Sequence, residues 1–272
     1  MNIGQNNTLT VSRLVDFGLY LVDDHGSEVL LPTRYVTGTP QPGDAMDVFV
    51  YTDSEDRPIA TTEHPRATVG EVAFLRVVDV NRIGAFLDWG LAKDLFVPFS
   101  EQLSKMKPGG LYPVYIYLDH ASGRVTASAK LNKYIGNKIP QYHQGQQVKA
   151  LILQNTDIGY KTIVDNLYFG MIYGSDLYKP ITPGDTITAY VSKVRTDGKI
   201  DLTLSNRNEV ESIAKLIADY INTDTIHSSP IDDSASPEWI KQQFGCSKRI
   251  YKQALGALYK SGRLSKPTTP KH

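Results

Sequence analysis

The 272 residues contain a single cysteine, Cys246, so no disulfide forms within the chain and no cysteine cluster holds zinc. One cysteine fits a reducing cytoplasm. Long apolar runs are also missing, since none approaches the ~20 residues that a membrane helix needs. The opening Met1-Asn2-Ile3-Gly4-Gln5 lacks the basic start and apolar core of a secretory signal. A cytoplasmic location away from membranes is therefore expected. Catalytic signatures are absent as well. There is no Gly-x-x-x-x-Gly-Lys phosphate loop, no His-Glu-x-x-His and no Gly-x-Ser-x-Gly. The six histidines are scattered over expected loops and the tail, where histidine is ordinarily a solvated polar residue. Cys246 lies at an expected helix start beside Ser247 and Lys248, a setting that favours thiolate. No histidine stands near it, and we read it as structural. The expectation is a non-enzyme with no cofactor and no metal.

Net charge is missing too, with 29 Lys+Arg against 29 Asp+Glu. That argues against a simple polyanion binder, but the charge is unevenly spread. Residues 1–65 carry a net −7, residues 66–140 a net +4, residues 141–207 a net +1 and residues 208–272 a net +2. After Glu238 come eight basic residues and no acidic one. A polyanion is expected to meet the middle and the far C-terminal part before the first module.

What is present is a repeat. At this length two or more domains are expected, and three segments share one layout. Each opens with an alternating apolar strand, around Leu9–Val15, Val72–Val77 and Val148–Leu153. A glycine inside an apolar run follows, at Gly18, Gly84 and Gly159, and predicts a bulge or sharp bend of the kind that small barrels need at their corners. Next come a short third strand (Leu31-Pro32, Val97-Pro98, Ile172-Tyr173), a Pro-Gly turn (Pro42-Gly43, Pro108-Gly109, Pro183-Gly184), a fourth strand and a short fifth. Five strands in ~65 residues with a bent early strand describe an OB-type Greek-key barrel. One large sandwich is disfavoured because the pattern restarts three times, and a mixed enzyme fold is disfavoured because no βαβ alternation exists. Residues 134–146 read as a connection rather than a core element.

The texture changes after Ser205. Val210, Ile213, Ala214, Ile217 and Ile221 have helical spacing, and a polar loop over 228–236 follows. Ser236-Pro237-Glu238 is an N-cap, a first-turn proline and a first-turn acid, with Gly245 as the stop. Ser247 caps a third helix whose apolar face is Tyr251, Ala254, Leu255 and Leu258, and Gly262 ends it. Arg263-Leu264-Ser265 is read as a short strand. That order is the order of a winged-helix domain, in which the last helix can enter a nucleic-acid groove. The fold class expected is mainly β: three tandem five-stranded OB-fold barrels over 1–65, 66–135 and 142–207, then a small winged-helix α+β domain over 208–272.

The glycine-bearing second strands resemble the S1 domain, the RNA-binding repeat of ribosomal protein S1. The likeness is clearest in Asn81-Arg82-Ile83-Gly84-Ala85-Phe86-Leu87-Asp88 and Leu95-Phe96-Val97-Pro98-Phe99-Ser100-Glu101. With Ser236-Pro237-Glu238-Trp239-Ile240, Phe244-Gly245-Cys246-Ser247-Lys248 and Ala254-Leu255-Gly256-Ala257-Leu258-Tyr259-Lys260-Ser261-Gly262, nearly the whole chain resembles the YitL / conserved virulence factor B family. The resemblance implies a bacterial RNA-binding protein of S1 domains and a winged helix, and the family name implies an effect on virulence gene expression.

S1 domains hold single strands with two aromatics on the second strand, a histidine on the third and a basic residue on the fifth, so that bases stack and cations meet phosphate. Carried over by position, the first unit offers Phe17, Tyr20 and Arg57, with Pro32 in place of the histidine and Asp16, Asp53 and Asp56 close by. The second offers Phe86 and Arg124, with Ile83 and Pro98 as departures and Arg82, Trp89 and Lys93 nearby. The third offers Lys161, Tyr173 and Lys199, with Ile158 as a departure, Lys193 and Arg195 as added charge, and Tyr160 on the opposite side. Lys248, Arg249 and Lys252 lie off the apolar face of the last helix and are the candidate contacts there. The function expected is single-stranded RNA binding in expression regulation. The alternatives are a protein-interaction scaffold on ribosome or polymerase, favoured by the acidic first unit, and a winged-helix DNA-binding regulator.

Overall fold

Period-two alternation in this chain becomes fifteen strands, which form three closed barrels in a computed structural model describing residues 1–174, 181–204, 207–222 and 231–264. The first barrel comprises β1 (Gln5–Val15), β2 (Gly18–Val22), β3 (Glu28–Pro32), β4 (Ala45–Thr52) and β5 (Pro58–Thr61). The second comprises β6 (Val72–Val80), β7 (Gly84–Asp88), β8 (Leu95–Pro98), β9 (Leu111–Asp119) and β10 (Arg124–Ser128). The third comprises β11 (Gln147–Thr156), β12 (Gly159–Val164), β13 (Tyr168–Tyr173), β14 (Thr186–Val194) and β15 (Ile200–Thr203). Each runs in the order first-second-third-fifth-fourth, with the third and fifth strands parallel and every other pair antiparallel. This is the OB-type Greek key, and closure leaves no long free edge.

The glycines do a different task from the one their place in the pattern predicts. The bulges lie on the first strand of each barrel, where the register jumps between Val11 and Arg13, between Val77 and Asp79, and between Ile152 and Gln154. Gly18, Gly84 and Gly159 instead open the second strand, directly opposite Pro32, Pro98 and Tyr173. A Cβ on Gly84 would overlap the Val97 carbonyl oxygen and sit 2.9 Å from Pro98 Cα, and the other two glycines face the same collision with Leu31 and Ile172. Close backbone approach, not a bulge, requires glycine here.

The barrels are not beads on a string. Val48 and Val50 point into the first barrel, while Phe49 and Tyr51 point out of it into the second barrel's core. There both rings meet Trp89 edge-on, at 5.7 and 6.3 Å between centroids. Trp89 is only 2% exposed, and its Nε1 donates to the Lys93 carbonyl at 2.6 Å. The Lys93 ammonium in turn donates to the carbonyls of Thr52 (3.0 Å) and Asp53 (2.6 Å) in the first barrel. Trp89 and Lys93, placed by sequence near a binding face, are therefore spent on this junction. Between the second and third barrels, Val72, Leu131, Ile135, Leu151, Leu153 and Ile163 form a separate buried cluster. Ile135 is 2% exposed, so part of the 134–146 connection is core after all. Val72 N–H donates to Asn166 Oδ1 (3.0 Å), and Gly136 N–H to the Leu167 carbonyl (2.8 Å).

Three helices follow: α1 (Arg207–Ile221), α2 (Pro237–Phe244) and α3 (Lys248–Lys260). The Ser236 hydroxyl accepts from Trp239 N–H, Gly245 takes the left-handed C-cap at φ 65°, and the Ser247 hydroxyl accepts from Ile250 N–H. Ile217, Ile240, Tyr251 and Leu255 are fully buried between them. Arg263 and Leu264 form a bend rather than the expected strand; Ser265 and the first part of the polar loop, Ser228 to Pro230, lie outside the described residues.

Candidate nucleic-acid interface

Because the inner positions of each second strand fill a barrel, the intervening residue points outward at the same place each time. In β2 and β7, Leu19, Leu21, Ala85 and Leu87 are buried, while Tyr20 and Phe86 are half-buried on the outer face. Lys161 holds that place in β12, and Tyr160 turns inward against the third core. Register sets the neighbour of each: Leu30 opposite Tyr20, Phe96 opposite Phe86, and Met171 opposite Lys161. In the turn before each second strand stands an apolar side chain left in solvent, with Phe17 58% exposed and Ile83 and Ile158 each 60% exposed. Three such chains at equivalent positions make a repeated apolar tip beside each outward face.

The local chemistry differs from barrel to barrel. Phe17 and Tyr20 pair edge-on at 6.5 Å, and the Arg13 guanidinium lies 4.0 Å above the Tyr20 ring while ion-paired to Glu28. That pairing raises Arg13 and holds Glu28 below the usual carboxylate range. Arg57 is held by Asp53 (2.8 Å) and Glu55 (2.9 Å), so its charge is locally neutralised. In the second barrel Phe86 and Phe96 form a tilted aromatic pair at 5.3 Å. Arg82 beside them is exposed and has no carboxylate partner among the described residues. Arg124, the matched basic residue, reaches back to Asp56 of the first barrel; the hydrogen bond raises the guanidinium and lowers the carboxyl.

In the third barrel Lys161 Nζ sits 4.5 Å over the Phe169 ring. The Tyr173 hydroxyl accepts from Arg195 and donates to Asp201 (3.3 Å), and Arg195 pairs with Asp201 at 2.6 Å. Tyr173 thus stands in a polar network on the outer face. Lys199 is tied to Asp197 at 2.8 Å. In the C-terminal module Lys248 and Lys252 lie one turn apart on α3, Lys252 sits 4.0 Å from Asp233, and Arg249 reaches Gln253 at 3.5 Å. Cys246 is buried, and burial pushes its thiol up rather than towards thiolate. Among the described residues no group of His, Cys, Asp or Glu is placed to hold a metal, and no helix is long and apolar enough to cross a membrane.

Positional matching missed several aromatics. Phe96 extends the Phe86 surface, and its register partner alone would have revealed it. Tyr115, Tyr134 and Tyr117 form a stack on the outside of the second barrel, Tyr134 lying 4.3 Å from Tyr115 and 5.3 Å from Tyr117. Phe169 and the lysines at 130 and 133 sit where the second and third barrels meet. The third strand's Phe169 is four positions from the nearest matched residue, Tyr173, so the register of β13 is needed to find it.

The sequence matches the S1 domain family twice, over residues 3–63 and 69–130, and the CvfB-like winged helix domain over residues 215–269. The third barrel, outside those S1 matches, repeats their strand order. The chain is 28% identical to the uncharacterized protein YitL of Bacillus subtilis, covering 97% of this chain and 91% of that protein. It is 24% identical to conserved virulence factor B of Staphylococcus aureus, covering 80% of this chain and 75% of that protein. A Streptococcus pneumoniae crystal structure, described as a multidomain protein with nucleic acid binding domains, is 23% identical over 97% of this chain and 96% of its own, with a TM-score of 0.41. The matched domains are binding modules, and the S1 repeats mark a nucleic-acid-binding protein. With its S1 domains followed by a CvfB-like winged helix, the chain belongs to the family of YitL and conserved virulence factor B.

Proposed function

We propose that this protein binds single-stranded RNA along the outer faces of its barrels and acts in the regulation of gene expression, as a cytoplasmic binding protein rather than an enzyme. The observation that carries the reading is the recurrence of one outward position. Tyr20 and Phe86 stand there, each beside an exposed apolar tip, Phe17 or Ile83. Aromatic faces stack on any base, at about 1–3 kcal/mol per base. The second barrel leads, because Phe86, Phe96 and Arg82, which has no ion-pair partner among the described residues, lie in the net +4 region while the first barrel is net −7. Lys161, Tyr173 and Lys199 give the third barrel a more polar face. The domain division that goes with this reading is 1–65, 66–135, 142–207 and 208–272. The virulence named for the Staphylococcus relatives fits a regulator of expression.

The test is fluorescence anisotropy of a labelled U-rich single strand across a salt series, beside duplex RNA and duplex DNA. Preference for the single strand, weakened at least tenfold by Phe86→Ala with Arg82→Gln, is the expected result. A duplex preference unmoved by those changes would sink the reading. Lys248 and Lys252 on the capped start of α3 supply a second reading, a groove contact by the winged helix. It requires that loss from Lys248→Gln with Lys252→Gln exceed loss from the barrel variant.

A further inference from the structure

We infer that the groove between the second and third barrels is a nucleotide site, holding one base and its phosphates as a single strand passes from one barrel to the next. This inference rests on the single-strand reading above and extends it to residues outside the S1 pattern. The groove encloses about 390 Å³, inside the ~300–1,000 Å³ range of small-ligand sites. Its floor is Leu131, Leu153 and Phe169, the edge of the buried inter-barrel cluster. Its rim carries Lys130 and Lys133 from the second barrel and Lys161 from the third, and its lining includes no carboxylate among the described residues. Lys133 pairs with Glu101 at 2.5 Å and Lys130 acts on the same carboxylate through space, whereas Lys161 has no ion-pair partner among the described residues.

The chemistry is that of a nucleotide. A flat apolar ring fits an aromatic and aliphatic floor, and two or three ammonium groups beside it fit phosphate. The placement also explains an apparent defect. At the position of Tyr20 and Phe86, the third barrel has Lys161 and so no stacking ring on its second strand at that place. The ring is supplied instead by Phe169 on β13, with the Lys161 ammonium held 4.5 Å over it. The third barrel's stacking surface has therefore moved from its second strand to its third, onto the seam with the second barrel. In the bound state Lys161 leaves the ring for a phosphate, and a base takes its place on Phe169.

Lys130→Gln with Lys161→Gln in the full chain tests this against a labelled U-rich single strand. Each lost phosphate contact lowers the salt slope by about 0.7 for single strands. The double variant is therefore expected to lose about 1.4 from the slope and about 25-fold in affinity at 0.1 M salt. Ultraviolet crosslinking of a 5-bromouridine strand is expected to mark the peptide containing Phe169. If the parent binds and Phe86→Ala weakens it, while the lysine variant keeps both affinity and slope, the groove assignment is overturned and the barrel-face reading stands. If the parent binds no single strand at low salt, both fall. If an acidic peptide displaces the strand as effectively as unlabelled strand does, the groove belongs to a protein partner and the inference is overturned.

Discussion

Replacing Trp89 by alanine should destabilise the barrels and leave the stability of the helical module unchanged. The Trp89 ring is 2% exposed and is shared between two barrels. Burying about 200 Å² of indole is worth about 5 kcal/mol at ~25 cal/mol per Å², and area sums of this kind are upper bounds. Core Trp→Ala changes cost about 3–5 kcal/mol, so about 4 kcal/mol is the working figure. It includes the edge-on contacts with Phe49 and Tyr51 and the bond to the Lys93 carbonyl. With a urea m-value of about 2–3 kcal/mol/M, the midpoint of the β transition falls by about 1.5–2 M. Amide hydrogen exchange of the strand residues under urea follows the barrels. The chain has two tryptophans, so in this variant the emission comes from Trp239, which packs against Tyr220 and Phe244 in the helical module. The fluorescence transition should stay where it is in Trp89→Phe, which keeps a ring at the junction and loses less. A fluorescence transition that drifts down with the β transition, or a β transition that does not move, would refute the view that Trp89 is a joint between barrels and nothing more distant.

Asp56→Asn should tighten single-strand binding, because it releases Arg124 from the first barrel. One added phosphate contact steepens the salt slope by about 0.7 and raises affinity about fivefold at 0.1 M salt, and unchanged titrations would show that Arg124 faces no strand. Gly84→Ala should cost about 1–3 kcal/mol in a denaturant melt, since the new Cβ meets fixed backbone at Val97 and Pro98; neutrality would mean that β7 and β8 separate freely. Burial, first among the causes, pushes Tyr117 and Tyr251 up to about 12. A phenol that holds its proton longer when folded stabilises fully below the ordinary value of about 10 and loses that contribution as pH climbs through about 12. Ultraviolet titration of the folded protein should therefore show a late class of tyrosines, and ionisation of all of them together near pH 10 without unfolding would contradict the burial.

The strands were legible because each barrel must bury one side of every strand, and period-two alternation records that need directly. The caps at Ser236, Ser247 and Gly245 were legible for the same local reason. The seams were not, although they left a trace. Val48-Phe49-Val50-Tyr51 and Ala150-Leu151-Ile152-Leu153 are unbroken apolar runs, which is how a strand reads when both of its faces are covered. Sequence alone makes them half-buried strands, because the partner covering the second face lies tens of residues away: Trp89 for β4, and Leu131 with Ile135 for β11. Tyr20 and Phe86 are legible because they sit two residues past a glycine on a strand of known direction. Phe169, Phe96 and the Tyr115–Tyr134–Tyr117 stack were not, since which residues share an outer surface depends on register and on how connections fold back. The glycines were located correctly and given the wrong reason, because sequence shows that a side chain is excluded without showing what excludes it.

The shared ring cluster at the first seam has a consequence for synthesis. The first barrel's last strand ends at Thr61, but Phe49 and Tyr51 on its outer wall are covered by the second barrel's core, where Trp89 lies edge-on to both rings. At about 5–20 residues per second, translation needs roughly 1–6 s more to deliver that tryptophan. For that interval the nascent chain carries a closed barrel with two aromatic rings facing water, a surface open to chaperones or to a second nascent copy on the same message. A ribosome stalled between these points would hold the chain in that state.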